Sequence, residues 1–570
     1  MTSNFSPSPR SRLLLRSILP ITQWLPTYQR EWFVFDLVAG STLAAYAIPV
    51  ALAYSALAGL PSQVGLYCYM LGAIAYAFLG TSRQLAIGPT SAISILVGVS
   101  LASLVPDDPA RYLSMASLTA VLVAVVCLFA WIFRVSQVVN FISEPILTGF
   151  KAGAALQIAS TQLPKLFGVP GGGNNFFTRL WDLLHHFSEI HWPTFCVGAI
   201  ALMLLLVGDR FLPKQPNSLI VVIVAIVLMT LTHLPEQGVK VVGEIPQGFP
   251  IFGLPEWTLN DLNNLLPLAL GCFLLSYIEG ISTARSFAIK NGYSINADQE
   301  LLAIGAANLA AGLGQGFPIA GGLSQSAINE KAGAKTPLAI FLAACMIALV
   351  LLFFTGLFRN LPDAILAIIV LVAVKGLINI PEFKHLKKVS RLEFQIALLA
   401  LVGVLLFGVL KGILLATITS VLFLIRVVAH PTTSILGRVV GTDQFSDVER
   451  HPENQTIPGI LIYRVNGPIL YFNTENVQQD LFQHLRQQEE PVRCVIFDLS
   501  PAPTMDTPGA RWFDSLYQQL DAQNIALRLV NYSGRVRDRL RAEGLESKVG
   551  SFDRTSTIPL ILAEFIPENS

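Results

Sequence analysis

Apolar stretches of about 20 residues recur along this chain between about residue 36 and about residue 430. A bilayer core leaves no water for free backbone groups, so stretches of this length cross it as helices. The pattern predicts a polytopic α-helical membrane protein, and roughly fourteen spans can be counted. Hydrophobic residues make up 53% of the chain and charged residues 13%. That balance excludes a soluble protein with a charged shell. A net charge of +1 predicts no nucleic-acid partner.

A polar stretch, 235–262, divides the expected spans seven and seven. A second polar stretch, 167–192, reads as another exterior loop. Basic residues recur in alternate loops: Arg83, Arg134, Arg210, Lys290, then Lys331 with Lys335, then Lys384, Lys387, Lys388 and Arg391. The positive-inside rule places the N-terminus in the cytoplasm, and an even span count places the C-terminus there too. The expected location is the inner (plasma) membrane, with lipid as the surrounding partner. Three regions follow: a cytoplasmic N-terminal segment 1–30, a transmembrane domain 31–432 and a cytoplasmic domain 440–567. In the last region the apolar runs shorten. Strands are expected at 460–465, 469–472, 494–499 and 525–530, and helices at 477–488, 510–523 and 536–543. Alternating strands and helices imply a small α/β domain with a largely parallel sheet.

Two apolar segments are interrupted, and they are third in each group of seven. One runs Leu85-Ala86-Ile87-Gly88-Pro89-Thr90-Ser91-Ala92-Ile93-Ser94, and the other Gly316-Phe317-Pro318-Ile319-Ala320-Gly321-Gly322-Leu323-Ser324-Gln325-Ser326. A helix that starts within the membrane must be buried in protein or line a cavity. Its unpaired N–H groups and partial positive charge suit an anion. Matching interruptions in two halves are what an inverted repeat with a midplane site produces.

The run Ile48-Pro49-Val50-Ala51-Leu52-Ala53-Tyr54-Ser55, with Gly65-Leu66-Tyr67, resembles the first-span signature of the SulP family, the sulfate permeases and related anion transporters. Gly80-Thr81-Ser82-Arg83 with Ile87-Gly88-Pro89 resembles its third-span entry, and Gly321-Gly322-Leu323-Ser324-Gln325-Ser326 its tenth-span motif. Asp498-Leu499-Ser500 with Met505-Asp506-Thr507-Pro508-Gly509 resembles the STAS domain that follows the membrane part in this family. The resemblance implies two inverted seven-span repeats forming a core and a gate domain, a homodimer, and elevator-like alternating access. It also implies an anion site lined by Tyr54, Thr90, Ser91, Gly322, Leu323, Ser324 and Gln325. Many relatives carry glutamine at the position of Val50 and arginine at that of Gln325, so charge balance here falls to helix dipoles, hydroxyls or a co-transported cation.

Glu279 lies deep in an expected span. An intramembrane carboxylate is costly and serves an ion path or a partner. The expected roles are proton coupling or, with Ser276 and Ser282 three residues to either side, a sodium site. Arg285 as an ion-pair partner is at a poor spacing for one helix face. Lys151, seven residues after Glu144, reads as a snorkelling lysine. His185, His186 and His191 read as an interfacial belt. Thr507 is a regulatory candidate, because phosphate at a helix start is favoured, or else an N-cap hydroxyl. The six cysteines are scattered without a CxxC, so neither a disulfide framework nor a metal site is expected.

The resulting expectation is a secondary transporter of a small inorganic anion, sulfate first, coupled to H+ or Na+ and without a cofactor. No nucleophile with its base, P-loop or metal-binding run is present, so no enzyme is expected. The alternatives are a bicarbonate or C4-dicarboxylate carrier, a membrane sensor acting through its STAS domain, and a passive channel.

Overall fold

The computed structural model describes residues 19–105, 108–134, 144–173, 175–212, 216–232, 234–553 and 556–565. Most of the expected N-terminal segment and the last two residues of the expected 440–567 domain lie outside these. The chain forms two compact units, Met1–Ser420 and Val421–Ser570.

Among the described residues of the first unit, seven apolar helices precede the 235–262 loop. They are α1 (Trp32–Leu57), α2 (Gln63–Leu79), α3 (Ser91–Leu104), α4 (Pro109–Ile132), α5 (Glu144–Phe167), α7 (Trp192–Phe211) and α8 (Asn217–Leu231). A short amphipathic helix, α6 (Phe176–His185), lies between α5 and α7. It replaces the plain loop expected at 167–192. Asn175 and Thr178 start it by exchanging side-chain bonds with each other's backbone N–H. After the loop come α9 (Leu259–Lys290), α10 (Ala297–Leu313), α11 (Leu323–Lys331), α12 (Leu338–Leu349, continued by irregular turns to Phe358), α13 (Asp363–Lys375), the basic α14 (Ile380–Val389), α15 (Arg391–Phe407) and α16 (Val409–Ala429). Among the described residues, six helical stretches are by length and composition long and apolar enough to cross a membrane alone. By contrast, α3 and α11 rise only about 21 Å and about 14 Å, each short of a hydrocarbon core of about 30 Å.

Two packing groups are visible. In the core group α10 lies on α2 and α4, and α12 on α1 and α2. In the gate group α5 lies on α15 and α13, and α13 on α7. Membrane helices gain no hydrophobic drive from each other, so close approach through small residues holds them. Gly40 shows this: a Cβ there would stand 2.6 Å from the carbonyl oxygen of Ala339 on α12.

The second unit is a five-stranded sheet: β1 (Thr433–Arg438), β2 (Phe445–Asp447), β3 (Ile460–Val465), β4 (Cys494–Asp498) and β5 (Ala526–Val530), in the order β2-β1-β3-β4-β5. β3, β4 and β5 are parallel, and β1 joins antiparallel to both neighbours. The parallel strands bury both faces, with Tyr463, Val495 and Phe497 on one side and Ile462, Cys494 and Ile496 on the other. The connecting helices are α17 (Thr474–Gln487), α18 (Thr507–Asp521) and α19 (Gly534–Ala542), and α20 (Glu546–Val549) and α21 (Ile558–Phe565) follow. The strand expected at 469–472 is absent. Ile469 makes a single bridge to Met505, and the chain then turns into α17.

Candidate functional site

Each interrupted segment passes through a two-residue strand before its short helix. Ile87 and Gly88 (β1′) pair antiparallel with Ala320 and Gly321 (β2′), Ile87 opposite Gly321 and Gly88 opposite Ala320. Gly322 N donates to Ala86 O at 3.1 Å and extends the ladder. Backbone bonds that lipid could not supply are thus made between the two repeats. Gly321 permits the approach: a Cβ there would stand 2.7 Å from Leu85 Cδ1 and 2.9 Å from the Cα of Gly280 on α9.

Side chains close the remaining gaps. Ser326 Oγ accepts from Ala86 N at 2.9 Å, and Asn329 Nδ2 donates to Gln84 O at 3.1 Å. Gln325 Nε2 donates to Pro89 O at 2.9 Å, while its Oε1 accepts the Tyr69 hydroxyl at 3.2 Å. Asn308 Oδ1 accepts from Ile319 N at 2.9 Å. Further back, the buried Glu300 carboxylate accepts from Tyr76 OH at 2.6 Å, Thr81 N at 2.7 Å, Thr81 Oγ1 at 2.5 Å and Ser82 N at 3.0 Å. It fixes the chain just ahead of β1′.

The two helix tips keep their donors. Thr90 and Gly322 hold the N-cap positions of α3 and α11, and neither supplies a side-chain cap. Asp108, Thr258, Asn296, Asn379 and Ser390 do cap their helices. The first-turn amides of α3 and α11 are therefore left for a guest. Thr90 Oγ1 is buried, with the Glu279 carboxylate in reach but too far for a full hydrogen bond. Such a group is costly unless something binds it.

Both tips open on one cavity of about 590 Å³, and its wall includes Tyr54, Thr90, Ser91, Gly322, Leu323, Ser324 and Gln325. All the residues expected to hold the anion are thus brought together, although they come from three helices far apart in sequence. Gln325 differs from the expectation in one respect, because its amide is occupied by Pro89 and Tyr69 and acts as a clamp. Glu279 and Ser282 also line the cavity. Ser276 does not. Its hydroxyl is fully buried and donates to Ile319 O at 2.8 Å, so it supports β2′ instead of facing an ion beside Glu279.

Sequence reasoning missed part of the wall. Lys151, read there as snorkelling, lines the cavity with Glu144 from the same face of α5. Glu279 lies within electrostatic reach of the Lys151 ammonium and faces the Thr90 hydroxyl. The seven-residue spacing of Glu144 and Lys151 was the available signal. Arg285, Tyr46 and Glu382 also line the cavity, beside the uncharged polar Thr148, Thr283, Ser286 and Asn379. Among the described residues the cavity thus carries two basic and three acidic side chains.

The other candidates are placed elsewhere. His185 and His186 each bond a backbone carbonyl one turn earlier, and His191 bonds Thr194 Oγ1 at 2.7 Å and Gln237 O at 2.9 Å. Among the described residues no cluster could hold a metal ion. Thr507 is exposed at the first position of α18. It is not the N-cap. Asp506 is, accepting from Gly509 N at 2.8 Å and, through its other oxygen, from Tyr471 N at 3.0 Å.

Comparison with known proteins agrees with this architecture. A model of the sulfate permease family matches residues 33–400, and a STAS domain model matches 451–558. A probable sulfate transporter of Mycobacterium tuberculosis is 34% identical over 538 residues, covering 94% of this chain and 96% of that protein. High affinity sulfate transporter 1 of Stylosanthes hamata is 30% identical, over 98% of this chain and 87% of that one. The structure of the murine Solute Carrier 26 family member A9 anion transporter, in its inward-facing state, superposes with a TM-score of 0.88 at 22% identity, over 99% of this chain and 97% of that one. The fold is therefore that of the SLC26 transporters, with a helical membrane domain and a C-terminal STAS domain. The chain belongs to the sulfate permease family.

Proposed function

We propose that the protein is a secondary active transporter of a small inorganic anion, sulfate first, driven by protons. The observation that carries this reading is the pair of uncapped helix tips, joined by β1′ and β2′, that open on one polar cavity. The Mycobacterium tuberculosis relative is named a probable sulfate transporter and the Stylosanthes hamata one a high affinity sulfate transporter, which favours sulfate as the substrate.

In the proposed cycle the anion accepts hydrogen bonds from the first-turn amides of α3 and α11. Hydroxyls of Thr90, Ser91 and Ser324 replace part of its hydration shell. With three carboxylates and two basic groups on the wall, the cavity suits a dianion best when one carboxylate is protonated. Glu279 is the carboxylate nearest Thr90 and is the proposed proton carrier. Sodium is the weaker candidate, since Ser276 is turned away from Glu279. The core group then moves against the gate group as in an elevator. We place the protein in the plasma membrane as a homodimer, with both termini cytoplasmic and the STAS domain regulating transport.

The test is uptake of labelled sulfate, bicarbonate and succinate by purified protein in liposomes, under imposed proton or sodium gradients. Uphill sulfate accumulation driven by protons, and lost in Glu279→Gln, is expected. Accumulation unchanged in that variant removes the coupling role. Flux without accumulation indicates a channel, and no flux at all indicates a sensor.

A further inference from the structure

The first unit contains a second large cavity, of about 540 Å³, that shares no residue with the first. It touches the C-terminal half of α3, whereas the first cavity touches the N-terminal tip of that helix. The wall from the core group is mostly apolar and includes Gly59, Leu60 and Pro61 of the α1–α2 turn. Tyr112 also lines it, with its hydroxyl committed to Ala58 O at 2.8 Å and Gly98 O at 3.2 Å. The opposite wall is polar and comes from α5 and α6: Thr161, Gln162, Lys165 and Arg179.

The charges on this wall are unbalanced. Arg179 is held by neutral acceptors, Gly173 O at 3.1 Å and Gln157 Oε1 at 3.3 Å, and by no carboxylate among the described residues. Lys165 is partly buried and makes no hydrogen bond or direct ion pair among the described residues. The field of Asp363, at the start of α13, reaches it. Among the described residues Asp108 is the one carboxylate lining the cavity, and it caps α4 through Arg111 N at 3.0 Å. Two cations thus share a partly apolar cleft with one carboxylate that already has a partner. Burying such charges is costly unless an anion joins them.

We propose that this cleft is a second binding site for a small inorganic oxyanion, with Lys165 and Arg179 as its charged ligands. It lies where the core and gate groups meet, at the end of α3 remote from the uncapped tips. An anion held there is passed to the tips, or received from them, as the core and gate groups move. This rests on the carrier reading above.

The test counts sulfate bound per chain, in nanodiscs of phosphatidylcholine so that no anionic headgroup competes. Wild type is expected to bind two sulfates, and Ser324→Trp, which fills the first site, is expected to bind one. Adding Lys165→Met should weaken that remaining site about tenfold, because a hydrogen bond to a charged group is lost. Lys165→Met breaks no hydrogen bond of the described structure, so folding is not at risk from that source. One sulfate in wild type and none in Ser324→Trp overturns the second site and leaves the carrier reading standing. An unchanged second affinity in Lys165→Met also overturns it. No sulfate bound by wild type overturns the sulfate-carrier reading and this proposal with it.

Discussion

Ile87 sits opposite Gly321 in a ladder two residues long, and this pairing joins segments more than 200 residues apart in the chain. Each strand leads directly into an uncapped helix, so the ladder sets the distance between the two tips. The ladder forms because Gly321 leaves room for Leu85 and for the backbone of α9.

Gly321→Val is expected to abolish folding or transport, because the added atoms collide with Leu85 and with the backbone of α9. Overpacking of this kind typically costs about 1–3 kcal/mol, and more where backbone is struck. Melting temperature in detergent and sulfate uptake are the measurements. A variant with wild-type stability and uptake would show that the close approach is not needed.

Glu300→Gln should destabilise the membrane unit by about 3 kcal/mol or more, because a buried carboxylate bonded to several donors loses charge-assisted bonds and must place an amide N–H against donors. Uptake should fall with stability, since Thr81 and Ser82 lead into β1′. A melting temperature equal to wild type counts against this role.

Ser324→Trp should leave the fold intact and block uptake, because Ser324 is exposed in the cavity wall and the ring has room to enter. Gln325→Ala should act in the opposite way. It frees Pro89 O and the Tyr69 hydroxyl, so stability falls by about 1–3 kcal/mol before any change in affinity is seen. Unchanged uptake in Ser324→Trp contradicts the placement of the anion.

Asp506→Ala should cost about 1 kcal/mol of STAS-domain stability, the usual value of an N-cap. Thr507→Ala should cost almost nothing, because the exposed Thr507 is not the cap. Equal melting shifts for the two variants would reverse this assignment.

In the same domain the Arg541 guanidinium and the Phe552 N–H hold the Glu546 carboxyl down to about 2, against an ordinary 4.5. A folded-state value below the unfolded one stabilises at pH above 4.5, and that contribution is lost as pH falls toward 2. The difference in melting temperature between wild type and Glu546→Gln should therefore shrink across that window. A constant difference from neutral to acid would argue against the pair.

The spans were legible because about 20 apolar residues in a row have few other uses. The half-helices were legible because Gly88-Pro89 and Gly321-Gly322 break apolar runs. The ladder itself was not, since strands of two residues carry no periodicity. Ser276 and Ser282 share a spacing from Glu279, but spacing cannot say that one side of α9 is pressed against β2′. Lys151 was misjudged because a lysine in a span reads the same whether it reaches lipid headgroups or a cavity. The 469–472 run is apolar like a strand, yet Asn473 accepts from Leu470 N at 2.9 Å and bends the chain into a turn.

The joining of Ile87 to Gly321 also bears on how such a gene can change. A substitution on either side of the seam is felt by its opposite number in the other half, so the two halves are not free to drift apart there. Selection acting on one interrupted helix is transmitted to the other through main-chain atoms, whatever the side chains around them become.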